Sequence, residues 1–401
     1  MRILQINMIY KEKSTGRTCY ELDNYLRERG IESVTAYGWG PIYDGAYRIN
    51  TYFEYYFHNI MSRITGLEGY FSFFSTLRLL HFMKKYKPDI VHLRNIHGHF
   101  LNFPLFFDFI YRKKIKTIIH IHDCWCFTGK CTHYTVIKCC KWKTNCKGCP
   151  KQREYPASYI WDNAAFMLKR KKQWFGKIEN LVVVGNSDWS AREAAKSFLC
   201  NRKNERVYNW INLDVFNYRK SNILSKYGIK EELFIIIGVS ADWICGSQRY
   251  EDFMRLANLI DNEFEIVLVG GKDGSIKHER IKQIPFLSNT VELAELYSAA
   301  DVYVHFSLED TFGKVIAESQ ACGTPAIVYN TTGCKELVND GITGYVADSG
   351  NVEQVYEFIK QIKKDGKDKY KKYAIDWAKE KFSLENNCKK MIEIYKSINE
   401  V

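Results

Sequence analysis

Ser307-Leu-Glu-Asp-Thr-Phe-Gly-Lys-Val-Ile-Ala-Glu-Ser-Gln-Ala-Cys-Gly-Thr-Pro-Ala-Ile-Val328 decides the fold of this 401-residue chain. An apolar strand, Val302–Phe306, runs into a polar turn, and Phe312-Gly313 opens a helix that continues to Cys322. Gly323 and Pro325 stop that helix, and Ala326–Tyr329 is the next strand. Strand, turn, helix, strand is the unit of a parallel sheet covered by helices. The helix N-terminus offers unpaired N–H groups and the positive end of a dipole, which suits a diphosphate. Gly313 lets a ligand approach the backbone closely. Glu318, five residues into the helix, is within reach of a sugar hydroxyl pair beside such phosphates.

The same rhythm extends in both directions. Upstream lie a strand Phe234–Val239, a helix Tyr250–Ile260, a strand Glu265–Val269 and a helix Val291–Ala299. An independent series opens the chain: strand Ile3–Met8, helix Gly16–Arg29, then strands Asp89–Leu93, Thr117–Ile121 and Leu181–Val184. The boundary falls near Asn209–Lys220, which predicts a first domain over 1–208 and a second over 209–380. Residues 367–398 read as one or two long helices, with 381–401 as a C-terminal helix. Two doubly wound units place a ligand in the cleft between them, at the carboxyl ends of the strands. No GxGxxG follows either leading strand and no GxxxxGK[ST] occurs, which argues against a dinucleotide cofactor or a P-loop.

Hydrophobic residues make up 46% and charged residues 26%, the balance of a globular protein. No apolar run approaches the roughly 18–20 residues needed to span a bilayer. The opening MRILQINMIY reads as a buried strand and not a signal peptide, so a cytoplasmic location is expected, with the inner face of the cell membrane as a peripheral option. The net charge of +12 is uneven: residues 1–212 carry 34 Lys+Arg against 17 Asp+Glu, and the remainder 24 against 29. A basic first half suggests an anionic partner, or serves solubility alone. Tyr52–Tyr86 mixes aromatics with Arg, Lys and His, and suits either a membrane interface or a core and cleft wall.

The 307–328 segment resembles the E-x7-E signature of family 4 retaining glycosyltransferases, with Asp310 and Glu318 at the two acidic positions. Three further stretches resemble that family in order. Val207-Tyr-Asn-Trp-Ile-Asn-Leu-Asp-Val-Phe216 is similar to its interdomain N-G-[VI]-D-x-x-x-F element. Leu293-Ala-Glu-Leu-Tyr-Ser-Ala-Ala-Asp301 is similar to the helix before the signature. Gly333-Cys-Lys-Glu336 is similar to its G-G-x-x-E element, with one glycine missing. The resemblance implies an α/β GT-B fold, two Rossmann-like domains facing across a cleft, with a C-terminal helix returning to the first. It implies retaining transfer of a hexosyl or N-acetylhexosaminyl unit from a nucleoside-diphosphate sugar to a saccharide or lipid-linked acceptor. No metal is then needed for catalysis. It further implies donor contacts from Arg249, Thr311, Phe312, Gly313, Lys314, Val315 and Glu318, and an acceptor-side place for Asn209.

Two departures stand out. Asp310 is a methylene shorter than the usual Glu, and Glu309 precedes it. After Gly238 the family supplies an Arg and a Lys to the diphosphate, whereas Gly238-Val-Ser-Ala-Asp-Trp-Ile-Cys-Gly-Ser-Gln-Arg249 offers Arg249 alone. Either its guanidinium fork engages two phosphate oxygens and covers both roles, or donor binding is weakened.

In the first half, Ser14-Thr-Gly-Arg17 reads as a turn between strand and helix, where Gly16 would approach the donor phosphate or the acceptor. Arg17 is either an acceptor-side group or a surface residue. His122-Asp123 ends a strand where the family carries a histidine facing the donor sugar, so His122 is expected to orient sugar or stabilise charge, with Asp123 on the acceptor side. Front-face transfer, in which the leaving diphosphate takes the acceptor's proton, needs no side-chain nucleophile.

Seven of the 13 cysteines crowd into Cys124–Cys149, an insertion spanning 124–150. Cys131, Cys139, Cys146 and Cys149 form C-x7-C-x6-C-x2-C, a set that either encloses a structural Zn²⁺ or packs as reduced thiols. The H-D-C-W-x-F-T-G-x-C opening resembles a subgroup of bacterial capsule and polysaccharide glycosyltransferases. Two other readings compete. A sugar-nucleotide 2-epimerase shares the architecture but would carry different cleft acids. A nucleic-acid-binding protein fits the basic half, but no recognition helix or RNA-binding signature is present.

Overall fold

The computed structural model describes residues 1–272 and 274–400. The chain separates into two compact units, Met1–Tyr208 with the tail from Cys388, and Asn209–Asn387.

In the first unit, β1 (Arg2–Asn7), β2 (Glu32–Tyr37), β3 (Tyr47–Arg48), β4 (Ile90–Leu93), β5 (Lys116–Ile121), β6 (Leu181–Gly185) and β7 (Lys203–Arg206) form one sheet in the order β3-β2-β1-β4-β5-β6-β7. Every pairing is parallel. Helices α1 (Lys13–Arg27), α2 (Tyr52–Thr65), α3 (Phe73–Tyr86), α4 (Phe103–Arg112), α5 (Ala164–Lys177) and α6 (Asp188–Ala195) make the crossovers. The central strands are apolar and wholly buried, as a sheet covered on both faces requires.

The second unit begins with a short α7 (Ile223–Lys226) and repeats the plan with β8 (Phe234–Val239), α8 (Gln248–Leu259), β9 (Phe264–Val269), β10 (Ile281–Ile284), α9 (Thr290–Ala299), β11 (Val302–His305), α10 (Lys314–Ala321), β12 (Ala326–Tyr329) and β13 (Gly344–Ala347). Its sheet runs β10-β9-β8-β11-β12-β13, again all parallel. In both sheets the strand order reverses beside the leading strand, between β1 and β4 and between β8 and β11. Such a switch point opens a crevice at the strands' carboxyl ends.

The C-terminal stretch forms three helices, α11 (Val352–Asp365), α12 (Lys367–Phe382) and α13 (Leu384–Glu400). The division between the units falls inside α13, several residues beyond the helix boundary expected at 381. From Cys388 onward this helix belongs to the first unit: the Tyr395 hydroxyl lies 2.6 Å from His92 Nδ1, and Lys116 Nζ donates to the Asn399 carbonyl at 2.7 Å.

Strands β2, β3, β7, β10 and β13 were not evident from sequence patterning, and Ser14–Arg17 needs correction. Helix α1 starts at Lys13, so these four residues lie inside its first turns and not in a turn ahead of it. Gly16 is buried, and a Cβ there would stand 3.2 Å from Ile9, so its bareness serves packing of the β1–α1 loop.

Candidate active site

Asp310 and Arg249 meet at the second unit's switch point. Asp310 follows β11, Arg249 is in the first turn of α8 after β8, and its Nη2 stands 3.8 Å from Asp310 Oδ2. The other guanidinium nitrogen, Nη1, donates to Ser240 Oγ at 3.0 Å.

Two residues absent from the sequence reading complete the arrangement. His305, the last residue of β11, contacts Asp310 Oδ2 through Nε2 at 2.9 Å, and its Nδ1 lies 2.9 Å from the Tyr303 hydroxyl. An ionised carboxylate only accepts, so Nε2 carries the proton and Tyr303 donates to Nδ1. Burial holds His305 below its ordinary range, in keeping with a neutral ring in that tautomer. Burial alone would raise Asp310, but the hydrogen bond from His305 and the nearby charge of Arg249 outweigh it and bring the carboxyl down to about 2. Asp310 is therefore an anion at every working pH. The Tyr303 and His305 side chains leave the same face of β11, a period-two spacing that is the only sequence signal for the pair.

The turn carrying Asp310 is tied down from behind. Its N–H donates to Thr332 Oγ1 at 3.2 Å, and its carbonyl accepts from the Thr332 hydroxyl at 2.6 Å and the Gly333 N–H at 3.1 Å. Gly313 then caps α10 with φ +78°, and a Cβ there would come 2.7 Å from Ile316 Cδ1. A left-handed cap with no room for a side chain requires glycine.

Phe312 is corrected as a side-chain ligand: it is 2% exposed and packs edge-on against Phe382, so only its backbone could face a donor. Thr311 is nearly buried, whereas Lys314 and Val315 are half-buried in the first turn of α10. Glu318 lies on the same helix, 6% exposed, with its charge felt by the buried Tyr297 and Cys322. Asn209, the first residue of the second unit, is buried.

The first unit has its own polar cluster at the ends of β4 and β5. Arg94 is 1% exposed and donates to Gln5 Oε1 (3.0 Å), Thr18 Oγ1 (2.7 Å) and His122 Nε2 (3.2 Å). His122 stacks on His120, ring centroids 4.3 Å apart. Burial, reinforced by the charges of His120, Arg94 and His92, keeps His122 well below the ordinary imidazole range. Because Nε2 accepts from Arg94, the neutral ring carries its proton on Nδ1. Asp123 has one oxygen 2.7 Å from His97 Nε2 and the other accepting from the Trp125 N–H at 2.8 Å. That carboxylate is committed to holding its loop. Arg17 is half-buried on α1.

The family model described as Glycosyltransferase Family 4 matches residues 15–215, half of the chain, and that described as Glycosyl transferases group 1 matches residues 244–380. The chain belongs to glycosyltransferase family 4.

This glycosyltransferase is 29% identical over 201 residues to N-acetyl-alpha-D-glucosaminyl L-malate synthase of Bacillus anthracis, covering 48% of the chain and 52% of that protein. It matches 26% of a D-inositol 3-phosphate glycosyltransferase of Corynebacterium urealyticum, so the chain spans about half, or less, of the length of these curated relatives. An uncharacterized 41.2 kDa protein in the cps region of Klebsiella pneumoniae is 24% identical over 79% of the chain and 80% of that protein. Among solved structures, a glycosyltransferase from Rickettsia africae superposes with a TM-score of 0.70 at 17% identity, over 99% of this chain and 98% of that one. Anabaena HepE in complex with UDP and glucose gives 0.69 at 14% identity, over 99% and 100%. The fold is GT-B.

Proposed function

We infer that this glycosyltransferase moves a hexosyl or N-acetylhexosaminyl unit from a nucleoside-diphosphate sugar to a saccharide or lipid-linked saccharide, with the anomeric configuration kept, in surface-polysaccharide synthesis. The observation that carries this reading is the Asp310 anion, held by His305 and Arg249 at the switch point one turn before the Gly313 cap of α10. In this reading Arg249 and the first N–H groups of α10 take the diphosphate. Asp310 accepts hydroxyls of the transferred sugar, and Glu318 those of the ribose.

As the glycosidic bond to the diphosphate breaks, positive charge grows on the sugar ring and negative charge on the leaving phosphate. The fixed anion of Asp310 and the cation of Arg249 match those two changes without rearranging. The leaving phosphate takes the acceptor's proton on the face it departs from. The Klebsiella relative's cps-region origin supports a capsular or exopolysaccharide setting.

A membrane-borne acceptor has its own support. Phe53, Ile60 and Phe74 are 79%, 59% and 70% exposed on α2 and α3, beside Arg63, Arg78 and Lys84. Exposed aromatics among basic groups suit an anionic lipid surface. No described helix is long and apolar enough to cross a membrane.

Glu318→Ala tests the core of the proposal. A thermal-shift screen against UDP, GDP, ADP and their sugars should find one nucleotide family that raises the wild-type Tm. The variant should lose most of that shift and at least about 100-fold in transfer, ~2.7 kcal/mol. Unchanged donor binding and transfer would refute the assignment.

A further inference from the structure

Residues 124–163 contain no α-helix or strand, only 3-10 turns at Cys124–Cys126 and Lys141–Lys143. Segments this long without secondary structure are uncommon in a compact domain, and a small core seldom holds one alone. The core here is Phe127, Tyr134 and Trp142, with Trp142's ring centroid 5.2 Å from Phe127's and 5.0 Å from Tyr134's. Two lysines add polar ties from within. Lys171 of α5 is fully buried and donates to the carbonyls of Trp125 (2.5 Å) and Thr128 (3.0 Å). Lys130 donates to those of Lys151, Gln152 and Glu154.

The seven cysteines of this region sort into two groups. Cys131, Cys139, Cys146 and Cys149 line one small cavity of about 10 Å³, room for a single water-sized sphere. Cys124, Cys126 and Cys140 do not line it. Within the first group, the Cys131 and Cys149 thiols lie near enough for the ionisation of each to depend on the other. The Gly129 N–H donates to the Cys146 sulfur and the Lys151 N–H to the Cys149 sulfur. A Cβ on Gly129 would come 2.8 Å from Cys146 Cβ, so a glycine permits that approach. The Cys146–Cys149 turn has Gly148 at φ +65°, and Lys141 Nζ donates to the Lys147 (3.1 Å) and Gly148 (2.6 Å) carbonyls. None of these cysteines is in a disulfide.

We propose that Cys131, Cys139, Cys146 and Cys149 bind one structural Zn²⁺ that fixes the 124–163 segment. Four cysteines lining one small cavity supply the donor set of a tetrahedral thiolate site, the coordination that Zn²⁺ takes. Each thiol releases its proton to solvent on ligation, so the filled site carries a net charge of −2, and the lining cations Lys130 and Lys141 offset it. Backbone N–H donors to two of the sulfurs are the outer support that such ligands require. The tightest three-ligand groups among the described residues are elsewhere, at His58–Glu68–His99 and His305–Asp310–Cys334. Both are held by internal hydrogen bonds that a metal would have to break: Glu68 accepts from Ser62, Gly98 and His99, and Asp310 from His305. The cysteine sulfurs are more widely spread than those groups, and ligation draws them in.

The test is metal analysis of the full chain, expressed with zinc and purified under reducing conditions. Wild type and Cys140→Ser should each hold about one zinc per chain, and Cys131→Ser and Cys149→Ser below about one-tenth of that. If those two variants fail to fold, Co²⁺ exchanged into wild type should give the intense visible bands of tetrahedral thiolate coordination. Chelation should also open the 124–163 segment to limited proteolysis. Zinc absent from wild type, iron and sulfide in its place, a Cys131–Cys149 disulfide in the isolated protein, or zinc retained by both ligand variants would each overturn the proposal.

Discussion

His305 shows how a single imidazole can set the state of an acid. Its neutral ring receives from Tyr303 and gives to Asp310, so a proton need never sit on the carboxylate. The anion persists above the unfolded carboxyl value of about 3.9 and is lost only as pH falls through about 2. Replacing His305 with Phe keeps a ring against Tyr303 but removes the donor. We expect kcat/KM to fall at least roughly tenfold, ~1.4 kcal/mol, and the acidic limb of the pH–rate profile to move upward as Asp310 relaxes towards its ordinary range. A profile that keeps both its height and its acid limb would show that His305 does not govern Asp310. Sequence displayed Asp310, Glu318 and the glycine cap because backbone geometry and motif spacing dictate them. It did not display His305 or Tyr303, since a histidine in a buried strand looks like core until its partner is placed. Phe312 marks the other limit: the motif does not say that its side chain packs against Phe382, which leaves only its backbone to face a ligand.

At the scale of elements, the α2–α3 connection is fastened by buried polar groups. His58 is buried, with Nδ1 2.7 Å from Ser72 Oγ and Nε2 accepting from the Gly69 N–H at 2.9 Å. Burial lowers it to about 4 despite the charge of Glu68. Stability from the neutral ring is therefore present above about 6.5, the unfolded value, and is lost as pH falls from there to about 4, by up to roughly 3 kcal/mol. His99, raised by Glu68 against the effect of burial, acts on the other side of about 6.5: its contribution is full below that value and is lost as pH rises through its raised folded value, so it does not offset His58 in the acid window. The urea midpoint should fall between pH 7 and pH 5 by more in wild type than in His58→Gln. Equal slopes would mean that His58 protonates freely in the native state. Two of the strands that sequence missed share one cause. Lys203-Asn-Glu-Arg206 and Ile281-Lys-Gln-Ile284 lie at sheet edges, where half-solvated strands lack the apolar runs by which β4 and β6 are recognised.

For the whole molecule, the decisive feature is that the first unit is completed by the last residues of the chain. Met391, Ile394, Tyr395 and Ile398 are buried on the part of α13 that belongs to it. Each buried side chain of this kind contributes about 1.5–3 kcal/mol, a large share of a domain's net stability. Residues 1–208 expressed alone should be soluble poorly, or melt well below the intact protein. A peptide covering 384–400 added in trans should raise the Tm in a concentration-dependent way. A fragment with full thermal stability, indifferent to the peptide, would show that α13 is dispensable. The two-domain α/β plan was legible in the repeating strand–helix rhythm. The place where the chain returns was not, because an amphipathic helix advertises an apolar face without saying which surface it covers.

The charged margin of the first sheet bears on life in a crowded cell. Any open strand can recruit a second chain through its unused peptide groups, and wholly parallel sheets are slow to assemble. At one margin Lys203 pairs with Glu205 and Arg206 with Asp188, and at the other β3 is only two residues long. Neither border offers an apolar ribbon to a neighbour. Neutralising Lys203 and Arg206 would strip that insulation, and with it some of the chain's capacity to remain a dispersed enzyme at high expression.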